Sequence, residues 1–436
     1  MRTLIRGGRV VDPSQGLDSF VDLLIEDGEV ARLGEKLQAP EHCEVVDVVG
    51  LIVAPGFIDI HVHLREPGQE YKETVRTGTM AAAAGGFTAV CCMANTVPVN
   101  DHRSITEHIR GEAERHGFAR VHPIGAVSKG LEGKQLAEIG EMAAAGAVAI
   151  SDDGKPVMDA ELMRRALLYA QHYGIQNGLP VVQHAEDLSL SGGGVMHEGE
   201  ISARLGLPGI PGSAEDVMVA RDLILLEDCG GRYHVAHIST ARSLELVRAA
   251  KQRGLPATCE VTPHHLLLTD DEVAKTGFST ACKMKPPLRS AADREAMLAG
   301  LADGTVDAIA SDHAPHHTDE KDESFHNAPF GIVGLETTVP LCLDRLVRPG
   351  VISLSRLVEL LACGPARVMN LPTGTLRVGS PADVTLLSLD ERYTVQPSGF
   401  RSKGRSTPFA EWTLQGRAVG TFLEGRRVEL DARRST

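Results

Sequence analysis

Along the first fifty residues apolar positions come in short bursts, at 3–5, 10–12, 22–25, 30–33 and 44–49, separated by turn pairs such as Gly7-Gly8 and Asp27-Gly28. Runs of this length bounded by glycine and aspartate predict short strands, and together they predict a small antiparallel sheet. The same texture returns at 383–389, 411–414, 418–423 and 427–430. The middle of the chain follows another rule. Eight apolar runs (56–60, 87–92, 120–125, 147–150, 180–183, 232–236, 257–261 and 307–310) alternate with helical-period stretches at 104–115, 135–145, 159–173, 214–227, 241–253 and 291–301. That alternation predicts βα units around a parallel sheet, and eight strands predict a (β/α)8 TIM barrel. A doubly wound open sheet would need a glycine-rich nucleotide turn, which does not occur. The expected architecture is therefore α/β: a barrel over 55–372, and a small β-sandwich-like domain assembled from both chain ends, 1–54 and 373–436.

Composition narrows the function classes. The chain has 436 residues, with 44 Lys+Arg against 58 Asp+Glu and a formal net charge of −14. An acidic surface poor in aromatic residues argues against a nucleic-acid partner, and its charge disfavours anionic membranes. No stretch is apolar for the length a membrane span requires. The eight cysteines form no CxxC pair or regular framework, which predicts free thiols and a cytoplasmic location.

In a TIM barrel the chemistry gathers where strands end and βα loops begin. At those places stand His61, His63 and Arg65 after the first run, Asn95 after the second and Asp152-Asp153 after the fourth. His184 follows the fifth, His237 the sixth, His264-His265 the seventh, and Asp312, His313 and His316 the eighth. A single histidine there is most often structural. His61 and His63, two apart in an extended segment, point to one face and can chelate one cation. With His184, His237 and two carboxylates they make a nitrogen and oxygen set suited to Zn²⁺ or a similar ion, with a position left open for water. Asp312 is the natural proton carrier opposite that water, the competing reading being a helix N-cap. Arg65 and Asn95 lie just beyond, and an arginine that matches a carboxylate bidentately points to an acidic substrate. The charged stretch 316–329 reads as a mobile loop.

The segments HVHLREPGQEYKET (61–74), GGFTAVCCMANTVP (85–98), SDDGKPV (151–157), QHAED (183–187), AHIST (236–240), TPHHL (262–266), KPPLR (285–289), SDHAPH (311–316) and APFGIVGLET (328–337) occur in the order of a bacterial type I dihydroorotase, which the chain resembles over nearly its whole length. The resemblance implies an amidohydrolase-superfamily enzyme of pyrimidine synthesis that interconverts dihydroorotate and N-carbamoyl-L-aspartate. By position it makes His61, His63, Asp153, His184, His237 and Asp312 the ligands of one or two Zn²⁺, with Asp153 bridging where there are two. It makes Asp312 the catalytic acid and base, and His63, Arg65, Asn95, His316, Phe330 and Gly331 substrate contacts. Lys285 stands where the family usually has asparagine. It reads either as a point charge for the substrate carboxylate, the favoured reading, or as a side chain turned to solvent. The partners expected are the small-molecule substrate, further copies in a homo-oligomer, and aspartate transcarbamoylase. Two other readings stand beside this one. A hydantoinase or allantoinase would open a different ring, although such enzymes carry a carbamylated lysine where this chain has Asp153. A noncatalytic scaffold for aspartate transcarbamoylase would have lost metal ligands, and all six positions are filled.

Overall fold

The computed structural model describes residues 2–174 and 178–430. Eight parallel strands stand in sequential order in one sheet. We number them β1 (Phe57–Val62), β2 (Phe87–Cys92), β3 (Arg120–Gly125), β4 (Ala149–Ser151), β5 (Pro180–Gln183), β6 (Arg232–Val235), β7 (Ala257–Val261) and β8 (Ala308–Ile309). The ring closes where His63 N–H donates to the His313 carbonyl at 2.8 Å and Ser311 N–H donates to the buried Asp59 carboxylate at 3.1 Å. A side chain thus supplies, at the seam between β8 and β1, bonds that a ladder supplies elsewhere. Burial pushes the Asp59 carboxyl up to about 7.

Inside the barrel the strands contribute small or slender residues, including Ile58, Ile60, Ala89, Cys91, Ala149, Val182, Ala236 and Ala308, which fill a narrow interior. Their alternate positions, Phe57, Phe87, Val121, Ile150, Val181, Val235 and Val261, face the helices in a larger core. Helices cover the sheet at Arg103–His116, Ile139–Ala144, Ala160–Ala170, Ser213–Cys229, Ala241–Gln252 and Ala291–Ala302. Several begin where their sequence says they should. Asp159, Thr240 and Ser290 each accept a hydrogen bond from a backbone N–H three residues on, which satisfies a donor that the first turn leaves open. The helix expected at 135–145 starts only at Ile139, because Gln135 and Ala137 are engaged with the backbone of Lys129 and Val127.

Several helices escape the periodicity reading, the longest of them between the first two strands. Val75–Gly85 joins β1 to β2 and is built mostly from threonine, alanine and glycine, with Arg76 as its one charge, so no charged face marks it. Its capping box pairs Thr74 with Thr77 rather than with a glutamate. Small residues are required because the helix runs close to its neighbours: a Cβ on Gly85 would lie 2.1 Å from the Leu335 carbonyl oxygen.

The chain ends form two further sheets. One has the order Glu29–Gly34, Asp22–Glu26, Arg2–Arg6, Cys43–Asp47, and its last pairing is parallel, so it is mixed rather than antiparallel as expected. The other joins both termini: Ile52–Pro55 runs parallel to Arg9–Asp12 on one side and antiparallel to Val384–Thr394 on the other, with Thr413–Leu423 beyond. Ile5, Val10, Leu23, Ile25, Val53, Val384, Leu386 and Phe422 share one core between them, which makes the pair a sandwich. Among the described residues no helix is long and apolar enough to cross a membrane.

Candidate metal centre and its surroundings

The C-terminal ends of the barrel strands bring the six expected ligands together. His61 belongs to β1 itself and His63 follows it, Asp153 lies two residues past β4, His184 follows β5 directly, His237 comes two residues after β6, and Asp312 lies beyond β8. All six are buried. His61 Nε2 is 3.4 Å from Asp153 Oδ1 and 3.5 Å from Asp312 Oδ1. His63 Nε2 is 3.3 Å from Asp312 Oδ1 and 3.5 Å from Asp153 Oδ2. His184 Nδ1 and His237 Nε2 each stand 3.5 Å from Asp153 Oδ1. The two oxygens of Asp153 therefore face different histidines, with His61 on the shared side.

These separations have a physical meaning. Ligands at about 2.0–2.1 Å around a tetrahedral cation lie roughly 3.3–3.4 Å from one another, close to the spacing found here. Two ligand groups meet the requirement of mutual proximity, His61 with His63 and Asp312, and His61 with Asp153 and His237. His61 Nε2 and Asp153 Oδ1 are buried without any hydrogen-bond partner. Buried polar atoms are normally satisfied, so atoms left open and aimed at a common point fit a bound cation. Nitrogen and carboxylate donors without thiolate suit Zn²⁺ and its divalent relatives.

The charges are arranged to match. Burial would raise the Asp312 carboxyl, but the charge of His61 and the hydrogen bond from His63 outweigh it and hold it well below the usual carboxylate range. Asp153 is likewise held down against burial, by the charge of His61 and by the nearby rings of His184 and His237. The carboxylates in turn push His61 and His184 up, so these two rings favour a proton that a cation would replace on binding.

Behind the ligands stand carboxylates that the strand-end reading missed. Glu260, inside β7, accepts from His61 Nδ1 at 2.6 Å; burial opposes its ionisation, yet His61 and His234 hold it down to about 2. This fixes the proton on Nδ1 and turns the Nε2 lone pair toward the cluster. A signal was available, since a glutamate within an apolar strand is a buried charge that must have a partner. Glu186, in the QHAED segment, takes the same role at His184 Nε2, 3.2 Å away. The paired aspartates divide their work. Asp152 turns from the centre to accept from the backbone N–H of Val127 and Ser128, at 2.8 and 2.9 Å. His265 is tied to Thr262 and the Pro286 carbonyl, while His264 Nε2 is buried without a partner beside the cluster. His313 faces away from the six and bonds to Glu73.

The other expected positions sit around the mouth. Asn95 Oδ1 is 2.9 Å from His63 Nδ1, so its oxygen orients a ligand ring and its amide N–H₂ remains for the cleft. Arg65 is buried, donates from Nε to the Pro315 carbonyl at 3.1 Å, and feels the charges of Asp312 and Asp153. His316 Nε2 meets the Phe330 carbonyl at 2.9 Å, and Gly331 follows with φ 133°, a left-handed conformation in which a Cβ would crowd His316 Nε2 at 3.0 Å. Arg65, His237 and Asp312 also take positive φ, of 63°, 32° and 47°. Such backbone strain in non-glycine residues concentrates where side chains must be aimed.

Lys285 is half-buried, with its Nζ 2.9 Å from Glu186 Oε1 and 5.2 Å from the Phe330 ring centre. Within the 316–329 stretch, Lys321 is buried and donates to the carbonyls of Pro329 and Gly331, both at 2.9 Å. A lysine amid charged neighbours reads as solvated until its carbonyl partners are brought to it.

Comparison with known proteins agrees with this geometry. Residues 50–243 match the family model described as dihydro-orotase-like. A dihydroorotase from Anaeromyxobacter dehalogenans (strain 2CP-C) is 56% identical over 424 residues, covering 97% of each chain. One from Geobacter sp. (strain M21) is 53% identical over 428 residues, covering 98% of this chain and 99% of its own. The solved structure of L-hydantoinase (dihydropyrimidinase) from Arthrobacter aurescens superposes with a TM-score of 0.87 over 98% of this chain and 95% of that one, at 27% identity. The family assignment follows from the identity to the two bacterial enzymes over almost the entire length: this chain belongs to the dihydroorotase family.

Proposed function

We propose that this protein is a zinc-dependent dihydroorotase, hydrolysing the ring amide of dihydroorotate to N-carbamoyl-L-aspartate and closing it again in pyrimidine synthesis. The observation that carries the reading is the convergence of four histidines and two aspartates, with open buried atoms, in a chain more than half identical to named dihydroorotases. His61, His63, Asp153, His184, His237 and Asp312 would hold one or two Zn²⁺, which when bound would supply Lewis acidity and make the attacking water more acidic.

The residues do the rest. Asp312, held ionised, takes the water proton and delivers it to the departing amide nitrogen. In the closing direction Asp312 must carry that proton beforehand, so lower pH favours ring closure. Arg65 and the Asn95 amide bind the substrate carboxylate. His316, through its bond to the Phe330 carbonyl, holds Phe330 and Gly331 against the ring. Burial of Arg65 strengthens its attraction for an anion, because little water is left to screen it. The net charge of −14 makes such local donors necessary, since it repels the substrate at long range.

The division into a β unit of 1–54 and 373–436 and a barrel of 55–372 belongs to the same reading, with a cytoplasmic homo-oligomer as the working form and aspartate transcarbamoylase as a candidate partner. Likeness to L-hydantoinase favours a second reading, a cyclic amidase of another ring. Arg65 speaks against it, because an uncharged ring gives a buried guanidinium nothing to bind. Purified protein is to be stripped with a chelator and assayed on dihydroorotate and on hydantoin, with and without added Zn²⁺. Zn²⁺-restored hydrolysis of dihydroorotate, with little on hydantoin, is the expected result. Full activity without metal, or preference for hydantoin, overturns the reading.

A further inference from the structure

Lys285 lies between β7 and the helix Ala291–Ala302, on the far side of Glu186 from the metal cluster. Its Nζ is 2.9 Å from Glu186 Oε1, and Glu186 Oε2 is 3.2 Å from His184 Nε2. His184 Nδ1 in turn stands 2.9 Å from His237 Nε2 and 3.5 Å from Asp153 Oδ1. The chain of contact runs from an ammonium at the cleft wall, through one carboxylate, to a ring that faces the cluster.

Each link has a direction. An imidazole presents a lone pair on one nitrogen when the other carries its hydrogen. Glu186 accepts at Nε2, so the Nδ1 lone pair is free to face Asp153 and His237. Glu186 can hold the ring only if it is itself held, and it is buried, with 7% of its side chain exposed. Apart from the lysine ion pair, Glu186 Oε1 has no hydrogen-bond partner. The Phe330 ring lies 5.2 Å from Lys285 Nζ and 4.6 Å from Lys283 Nζ, so it offers cation–π contact to both ammonium groups.

We propose that Lys285 is a positioning residue for the cation site: by clamping Glu186 it holds the His184 ring with Nδ1 toward Asp153 and His237, and it does not bind the substrate carboxylate. The proposal rests on the reading of the His/Asp cluster as a divalent cation site. It assigns carboxylate recognition to Arg65 and Asn95, and gives a purpose to the contact between Lys285 and Glu186.

The test measures Zn²⁺ affinity directly, by titrating chelator-stripped full-length protein against a chromophoric competitor. Lys285→Met should weaken Zn²⁺ binding about tenfold, the lower end of the range for groups that orient a ligand from behind. Lys285→Arg, which keeps the charge, should stay within about threefold of wild type by the same scale. Lys285→Met combined with Glu186→Gln should bind no more weakly than Glu186→Gln alone, because the lysine acts only through that carboxylate. At saturating Zn²⁺, the KM of Lys285→Met for dihydroorotate should change by less than about twofold. Thermal melting of the stripped proteins checks folding, and Lys285→Gln replaces the methionine variant should that one fail to fold. Unchanged Zn²⁺ affinity in Lys285→Met overturns the proposal, whether KM rises or stays, and so does an additive loss in the double variant. A wild-type protein that takes up no Zn²⁺ overturns the cation reading itself, so the two failures are told apart.

Discussion

Two buried clusters of histidine and carboxylate share the C-terminal rim of this barrel, and they are finished differently. In one, Glu73 Oε2 accepts from His313 Nε2 at 3.2 Å and from the Ser402 hydroxyl, Glu73 Oε1 accepts from the Thr77 hydroxyl, and Gly334 N–H donates to His313 Nδ1 at 3.2 Å. Each polar atom there has a protein partner. In the other, built on His61, Asp153 and His237, buried nitrogen and oxygen atoms remain open. Residue type and burial are the same, so the difference lies in satisfaction. A closed network joins parts of a fold, here the segment around Ser402 to the barrel mouth, whereas a network with convergent open atoms waits for a ligand.

Several experiments can break or sharpen that contrast, and the largest effect belongs to the open cluster. Asp153→Ala should abolish dihydroorotate hydrolysis and lower bound Zn²⁺ in metal analysis, since Asp153 faces four histidines. Retained metal and retained turnover would remove Asp153 from the centre. Next comes Asp312→Asn, expected to slow turnover in both directions by roughly 10²-fold or more, as loss of a general acid/base does, with an unchanged circular dichroism spectrum. A near wild-type rate would assign the proton to another group.

Arg65→Met should lower kcat/KM for dihydroorotate by roughly 10–100-fold, the worth of a charge-assisted hydrogen bond, while sparing an uncharged ring analogue. Equal losses on both would show that Arg65 does not read the carboxylate. The smallest effect belongs to the closed cluster. Ser402→Ala should cost about 1–2 kcal/mol and lower Tm by about 1–2 °C, with metal content unchanged, because the hydroxyl's bonds to Glu73 and from the Gly404 N–H are lost and no ligand site is touched. Loss of metal in this variant would mean that the two clusters are coupled and that the contrast fails.

The barrel was legible along the chain because strand and helix periods are local. Phe87–Cys92, Arg120–Gly125, Pro180–Gln183 and Ala257–Val261 are bounded where the apolar runs predict. The helix Val75–Gly85 was not legible, since alanine, threonine and glycine carry no amphipathic signal and their small size answers to a neighbour far away in sequence. The parallel pairing of Arg2–Arg6 with Cys43–Asp47 was hidden for a related reason: strand direction depends on the path of the intervening chain, not on composition.

The site divides along the same line. His61, His63, His184, His237 and Asp312 could be named from the sequence because each stands at a strand end, and a barrel gathers strand ends at one rim; Asp153 was picked from the Asp152-Asp153 pair by the family resemblance. Residue chemistry also separated a cation site from a thiolate one. Only the tertiary structure decided that Asp152 caps a loop, that Glu260 and Glu186 stand behind the cluster's rings, and that Lys285 reaches Glu186. It also decided that Lys321 reaches the carbonyls of Pro329 and Gly331. The physical reason is common to all four. A hydrogen bond or ion pair requires a few ångströms of proximity between groups tens or hundreds of residues apart, and only the packing of the folded chain sets that distance.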